Sequence, residues 1–167
     1  TEKWANYLRE TFRSMWHVPI AFVTGQSGKN VKALLNHSQM LFKQSLERVT
    51  TSQLNKVIRF ALERKAPPPF QSRETKIYFG TQVSVQPPTI VLFCNSPASI
   101  TLPYRRYLLS VMRDNLPFSE VPIKLYLRKR ESGSGAAAHA DAAVAEFAPG
   151  ESDGDAPTPG MEDSGQA

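Results

Sequence analysis

TKIYFGTQVSVQPPTIVLFCNSP, residues 75–97, reads as two consecutive strands. The first, 76–85, has Ile77, Phe79, Val83 and Val85 among its apolar positions. The second, 89–94, is a near-continuous apolar run, and Gln86, Pro87 and Pro88 connect the two. A two-stranded hairpin is marginal in water, so flanking elements must cover one face and a further strand must join it.

Both flanks supply such elements. Upstream, Thr50 with Gln53 three residues on fits a capping box, and Leu54, Val57, Ile58, Ala61 and Leu62 form the apolar stripe of a helix over 51–64. Pro67, Pro68 and Pro69 end it, since proline lacks the amide and restricts the residue before it. Downstream, Asn95, Ser96 and Pro97 make a turn. Tyr104, Tyr107, Leu108, Val111, Met112 and Leu116 mark a helix over 101–116, started by Thr101 or Ser99. In 123–130, Ile123, Leu125 and Leu127 alternate with Lys124, Tyr126 and Arg128, as in a strand with one face packed and the other wet and basic. The order helix, strand, strand, helix, strand predicts an α+β domain over 50–131, a three-stranded sheet covered by helices.

Residues 1–49 have a different grammar. Trp4, Tyr7, Leu8, Phe12, Met15 and Trp16 fall at helical spacings over 2–16. IAFV, 20–23, is a short strand candidate leading into the loop TGQSGKN. Asn30 is the expected N-cap of a helix carrying Val31, Leu34, Leu35, Leu41, Phe42 and Leu46 up to about Arg48. Helix, strand, glycine-containing loop, helix is the pattern of an α/β unit with a parallel sheet. A single strand makes no sheet, so its neighbours are expected outside this chain. The first helix has no convincing cap before it, which suggests a chain that was cut or begins inside a larger unit. Residues 132–167 are rich in Gly, Ala, Pro and Ser and acidic. Such composition predicts disorder, with AAAHADAAVAE as at most a transient helix.

Charge divides the chain in the same place. All 20 Lys and Arg lie in 1–131 against 8 Asp and Glu, a net +12 with His neutral, whereas 132–167 carries 7 acidic residues and no Lys or Arg, a net −7. A basic span invites a polyanionic partner, although it also serves plain solubility. Cys94, the one cysteine, lies in the apolar second strand and excludes an intrachain disulfide framework, so a reducing compartment is expected. No run is long and apolar enough to span a membrane.

Catalytic motifs are scarce. GQSGKN, 25–30, is not a phosphate-binding P-loop: two residues instead of four separate the first glycine from the GK pair, and Asn30 follows Lys29. A tight strand-to-helix loop explains its glycines. His17, His37 and His139 share no metal-ligand spacing, and no metal is expected. The basic residues say more. Lys76, Arg105, Arg106, Lys124, Arg128, Lys129 and Arg130 are candidates to line one RNA-binding face, with Tyr78, Tyr104, Tyr107 and Tyr126 either stacking on bases or packed in the core with their hydroxyls at its rim.

VPIAFVTGQSGKNV at 18–31, TSQLNKVI at 51–58, APPP at 66–69, KIYFGTQVSVQPPTIVLFCNSP at 76–97, YRRYL at 104–108 and VPIKLYLRKRE at 121–131 together resemble the C-terminal part of the bacterial Der (EngA) family. These are ribosome-assembly GTPases with two tandem G domains and a terminal KH-like domain. The resemblance covers 1–131 and not the tail. It implies that 1–49 is the C-terminal remnant of the second G domain and 50–131 the KH-like domain. Thr24, Gly25 and Gln26 then align with the fifth G motif, usually Ser-Ala and a variable residue, whose backbone helps read the guanine oxygen; here Thr replaces Ser and Gly replaces Ala.

The resemblance further implies that the intact protein binds GTP or GDP with Mg²⁺ and hydrolyses GTP during maturation of the large ribosomal subunit. Its implied partners are that subunit or its precursor, ribosomal RNA and, within the chain, the G domains; it implies a cytoplasmic monomer with no membrane. This chain carries no P-loop, switches or NKxD motif, so neither cofactor nor catalysis is expected of it alone. Residues 50–131 also hold no GxxG, the RNA clamp of ordinary KH domains, so an RNA surface rests on charge. Two other functions stay open: an autonomous RNA-binding module, and a docking domain that reports nucleotide state to a protein partner.

Overall fold

The computed structural model describes residues 2–69, 74–130 and 135–147. Five α-helices and three strands follow in the order α1 (Glu2–Thr11), α2 (Val31–Leu46), α3 (Thr51–Arg64), β1 (Ile77–Ser84), β2 (Thr89–Cys94), α4 (Leu102–Asn115), β3 (Lys124–Lys129) and α5 (Ala136–Phe147). The sheet order is β1-β2-β3. β1 runs antiparallel to β2, and β3 parallel to it with α4 as the crossover. The α+β architecture is the one expected, with a mixed sheet.

α3 starts where its cap dictates. The Gln53 amide donates to the Thr50 hydroxyl, and the Thr50 amide donates to Gln53 Oε1. Leu54, Ile58 and Ala61 then fall on one face and are buried; burying side chains of the size of Leu54 and Ile58 contributes about 1.5–3 kcal/mol each. At the other end, two tyrosines of α4 donate to carbonyls at and just beyond the end of α3. Tyr107 donates to Ala61 O at 2.8 Å and Tyr104 to Lys65 O at 2.6 Å. Ala61 O thereby takes a second donor beside the Lys65 amide, and Lys65 O, just past the helix end, gains one.

β1 carries an extra residue at two points. Ile77 pairs with Cys94 but Phe79 with Phe93, and Gln82 pairs with Ile90 but Ser84 with Thr89. Each bulge switches faces. Ile77, Ile90, Leu92 and Cys94 join the main core with α3 and α4, whereas Phe79, Val83, Val91 and Phe93 form a second cluster on the opposite face. Gly80 sits between the bulges, where a Cβ would lie 2.6 Å from Leu92 Cδ2 and 2.7 Å from Ile58 Cδ1. Asn55 of α3 holds this backbone, accepting from the Gly80 amide and donating to its carbonyl, both at 2.9 Å. Gly80→Ala is therefore expected to destabilise the domain by about 1–2 kcal/mol through overpacking. Chemical denaturation would measure it, and an unchanged midpoint would refute the close fit.

Segments without periodicity complete the core. Val49, Ile100, Phe118 and Val121 are all buried, and Phe118 is fully enclosed. Cys94 is buried as expected, and burial pushes its thiol up to about 11.

Three expectations require correction and one a refinement. Residues 20–23 form no strand, because no neighbouring strand lies beside them among the described residues. The first helix stops at Thr11, and Arg13–Met15 form a 3-10 turn. Asn30 holds the N-cap position of α2 as expected, but its side chain makes no capping bond: its backbone is left-handed (φ 65°) and its Nδ2 donates to Phe22 O. The segment expected to be disordered contains α5, which lies on the second cluster and buries Ala143 and His139 there. The helix gains from the sheet the apolar partner that its own sequence lacks. Apart from Gly135, which is described, the rest of the predicted disorder, 132–134 and 148–167, lies outside the described residues.

Candidate nucleic-acid interface

The fold separates the basic residues into groups. Side chains alternate along β3, and Leu125 and Leu127 point into the α3/α4 core, so Lys124, Tyr126 and Arg128 lie on the opposite sheet face, the one that α5 meets. Arg128 pairs there with Glu146 of α5. Just past the strand, Arg130 places its guanidinium 4.9 Å from the centre of the Tyr78 ring, a cation–π contact. Lys129 falls on the helix side of the sheet by the same alternation. Lys76, exposed at the foot of β1, is paired with Glu74 at 3.0 Å. Lys124 and Arg128 are thus parted from Lys129 by the sheet, so the seven candidates do not all share one sheet face.

Arg105 and Arg106 lie on α4. Arg105 is half-buried and donates through Nε to Ile100 O at 3.2 Å. Arg106 lines a hollow of ≈ 390 Å³ with Arg13, Trp16, Leu102, Leu109, Ser110 and Arg113. Three arginines and one tryptophan thus line one hollow where the N-terminal helical part meets α4, and no acidic residue lines it. Sequence reasoning missed this grouping because Arg13 and Arg113 are 100 positions apart.

His17 anchors the hollow. Arg113 Nη2 and His17 Nε2 are 3.2 Å apart, and burial together with the Arg113 charge lowers the His17 pKa below its ordinary 6.5. The neutral ring accepts from arginine, so folding favours the deprotonated form. That stability is complete above the unfolded pKa of about 6.5 and is lost as pH falls through the lower folded value. Thermal melts from pH 7.5 to 5 are expected to show a decline that His17→Gln reduces; identical pH profiles would count against the contact.

The tyrosines also divide. Tyr104 and Tyr107 are committed to α3 by their hydroxyls, whereas Tyr78 and Tyr126 are exposed. Thr24, Gly25 and Gln26 sit on an exposed loop in which the Thr24 amide donates to Lys29 O. The backbone needs glycine at Gly28 (φ 67°), not at Gly25, where a Cβ would meet nothing within 4 Å. The family's alanine would fit there without strain.

No group of three or more His, Cys, Asp or Glu side chains among the described residues could hold a metal ion, and no described helix is long and apolar enough to cross a membrane.

The helix-strand-strand-helix-strand unit matches, over residues 48–128, the family described as KH-domain-like of EngA bacterial GTPase enzymes, C-terminal. Residues 48–128 belong to that family. Similarity to curated proteins named GTPase Der extends past the EngA KH-like domain on its N-terminal side. The protein of Rhodopirellula baltica is 52% identical over 130 residues, covering 78% of this chain and 29% of its own length. Those of Acaryochloris marina and Trichlorobacter lovleyi are 39% and 36% identical over similar spans. The chain thus spans about 29% of the length of the relatives it matches.

Proposed function

We propose that this chain is the C-terminal portion of a GTP-binding, GTP-hydrolysing factor of ribosome biogenesis, and that it contributes docking to ribosomal RNA rather than catalysis. Its place is the cytoplasm and its target the large ribosomal subunit or a precursor. The observation that carries the docking role is the hollow formed by Arg13, Arg106 and Arg113 around Trp16. Arginines and an aromatic residue lining one hollow suit a phosphate backbone and an adjacent base. The relatives' name supports the GTPase assignment, which concerns the intact protein with GTP or GDP and Mg²⁺. Hydrolysis needs a phosphate cradle and a metal site, and nothing among the described residues provides either. Among the described residues, the exposed Thr24-Gly25-Gln26 loop is the segment we assign to guanine.

The same reading accounts for the N-terminal part. Neither α1 nor α2 has a single buried residue, and Trp4, Tyr7, Phe12, Leu35 and Phe42 are more than half exposed. Large apolar side chains gathered at this density mark a contact surface, and the G-domain remainder of the factor is its proposed cover.

The test is a salt titration of the full chain with ribosomal RNA. Phosphate contacts predict that log K falls linearly with log salt, with a slope of roughly −0.7 to −0.9 per contact. A flat response would remove RNA docking and leave the protein-docking alternative.

A further inference from the structure

We propose that α5 is an internal mask over a second site, a platform for single-stranded RNA on the open face of the sheet. The proposal rests on the RNA-docking reading but places binding on different residues, on the opposite side of the sheet from α4. Phe79 and Phe93 stack at 4.7 Å with their planes 17° apart. On neighbouring β3, Lys124, Tyr126 and Arg128 lie on this face. Aromatic rings on a sheet surface flanked by cations are the recurring means of holding unpaired bases and their phosphates, and they require no GxxG loop.

α5 occupies this face with groups that imitate such a ligand. The His139 ring lies 5.3 Å from Phe93 and 6.3 Å from Phe79, tilted about 41–43° to both, where a base would sit. The Glu146 carboxylate rests on the Arg128 guanidinium, where a phosphate would sit. A planar ring and an anion are presented seven positions apart on one helix face. The mask is also lightly held. Its apolar contribution is Ala143 with part of Val144, a small apolar area compared with that of α3, so the helix is detachable at modest cost. Displacement by RNA exchanges one ring and one anion for others of the same kind. Sequences that offer both a base and a phosphate to the platform gain, and weaker anions leave the mask in place.

The experiment uses the full chain, a fluorescent oligouridylate of about 12 nucleotides, and anisotropy at fixed low salt. Ala143→Glu puts a carboxylate into the buried contact and should free α5. It also adds negative charge, which by itself weakens RNA binding, so tighter binding is attributable to unmasking alone. The expected result is roughly tenfold tighter binding, with Phe79→Leu in the Ala143→Glu background abolishing the gain because the stacking surface is lost. In the unsubstituted chain, amide exchange across 136–147 should speed up when the oligouridylate is added, a readout that needs no variant. Unchanged or weaker binding by Ala143→Glu overturns the mask; if the unsubstituted chain still binds ribosomal RNA with a steep salt dependence, the docking reading survives separately. Self-association of Ala143→Glu without a gain in RNA affinity would overturn the proposal in favour of a protein-binding face.

Discussion

Phe118→Ala is expected to lower folding stability by about 3–5 kcal/mol, the range for truncating a fully buried aromatic side chain. Phe118 is 0% exposed although it sits in the irregular link between α4 and β3, and it belongs to the same core as Leu54, Leu92 and Leu108. Its amide donates to Leu116 O at 2.7 Å, which fixes the turn that delivers the ring inward. That core draws on α3, β2 and α4 together, so a shift of one element alone is not expected to close the cavity. For a domain of this size the loss corresponds to a drop in melting temperature of at least about 12 °C. Leu102→Ala is the control: its side chain is 59% exposed at the start of α4, and a change within about 0.5 kcal/mol is expected. A loss below about 1 kcal/mol for Phe118→Ala would mean that the link is not part of the core.

The second large effect concerns RNA. Arg13→Ala combined with Arg106→Ala should weaken binding of ribosomal RNA by about 30-fold at low salt, on the basis of about 1 kcal/mol for each exposed, solvent-screened charge pair. The slope of log K against log salt should flatten by about 1.4–1.8, the contribution of two released counterions. Both arginines lie at the surface end of the hollow, whereas Arg113 is half-buried and engaged with His17, so it is left intact. The loss should be broad across RNA sequences, since phosphate contacts position the chain without reading bases. Removing two charges from anywhere on a basic protein flattens the slope slightly. Lys56→Ala with Arg59→Ala, exposed on α3, therefore serves as the comparison. Equal losses in both pairs would reduce the hollow to general surface charge.

How much of this was legible in the sequence follows from how local each determinant is. Thr51–Arg64 and Thr89–Cys94 were readable to the residue because a capping box, a proline block and an unbroken apolar run all act within a few positions. IAFV had the composition of a strand, yet a strand exists only through its neighbour, and composition cannot supply one. Phe118, Val121 and Ile100 lie outside any repeat, so nothing in the pattern marked them as core. α5 was hidden for a related reason: an alanine-rich acidic segment is a poor helix in isolation, and the rings that receive it lie on β1 and β2, 40 or more residues away. Of the basic candidates only Arg106 lines the hollow, and its companions Arg13 and Arg113 were not among them. The alternation of β3 already separated Lys124 and Arg128 from Lys129, whereas the convergence of Arg13 with Arg106 needed the tertiary structure. The family phrases carried the identity of 48–128 well, since motifs survive where periodicity is silent.

The short segment between α2 and α3 bears on how force passes through the molecule. Gln82 of β1 accepts from the Val49 amide at 2.8 Å and donates to Glu47 O at 3.0 Å, while the Gln86 amide in the hairpin turn donates to Ser45 O at 3.1 Å. A bare linker would act as a swivel and absorb any displacement of α2. Stitched to the hairpin in this way, it behaves as a gear tooth: a shift of α2 along its axis is handed to β1 and β2 with little backlash.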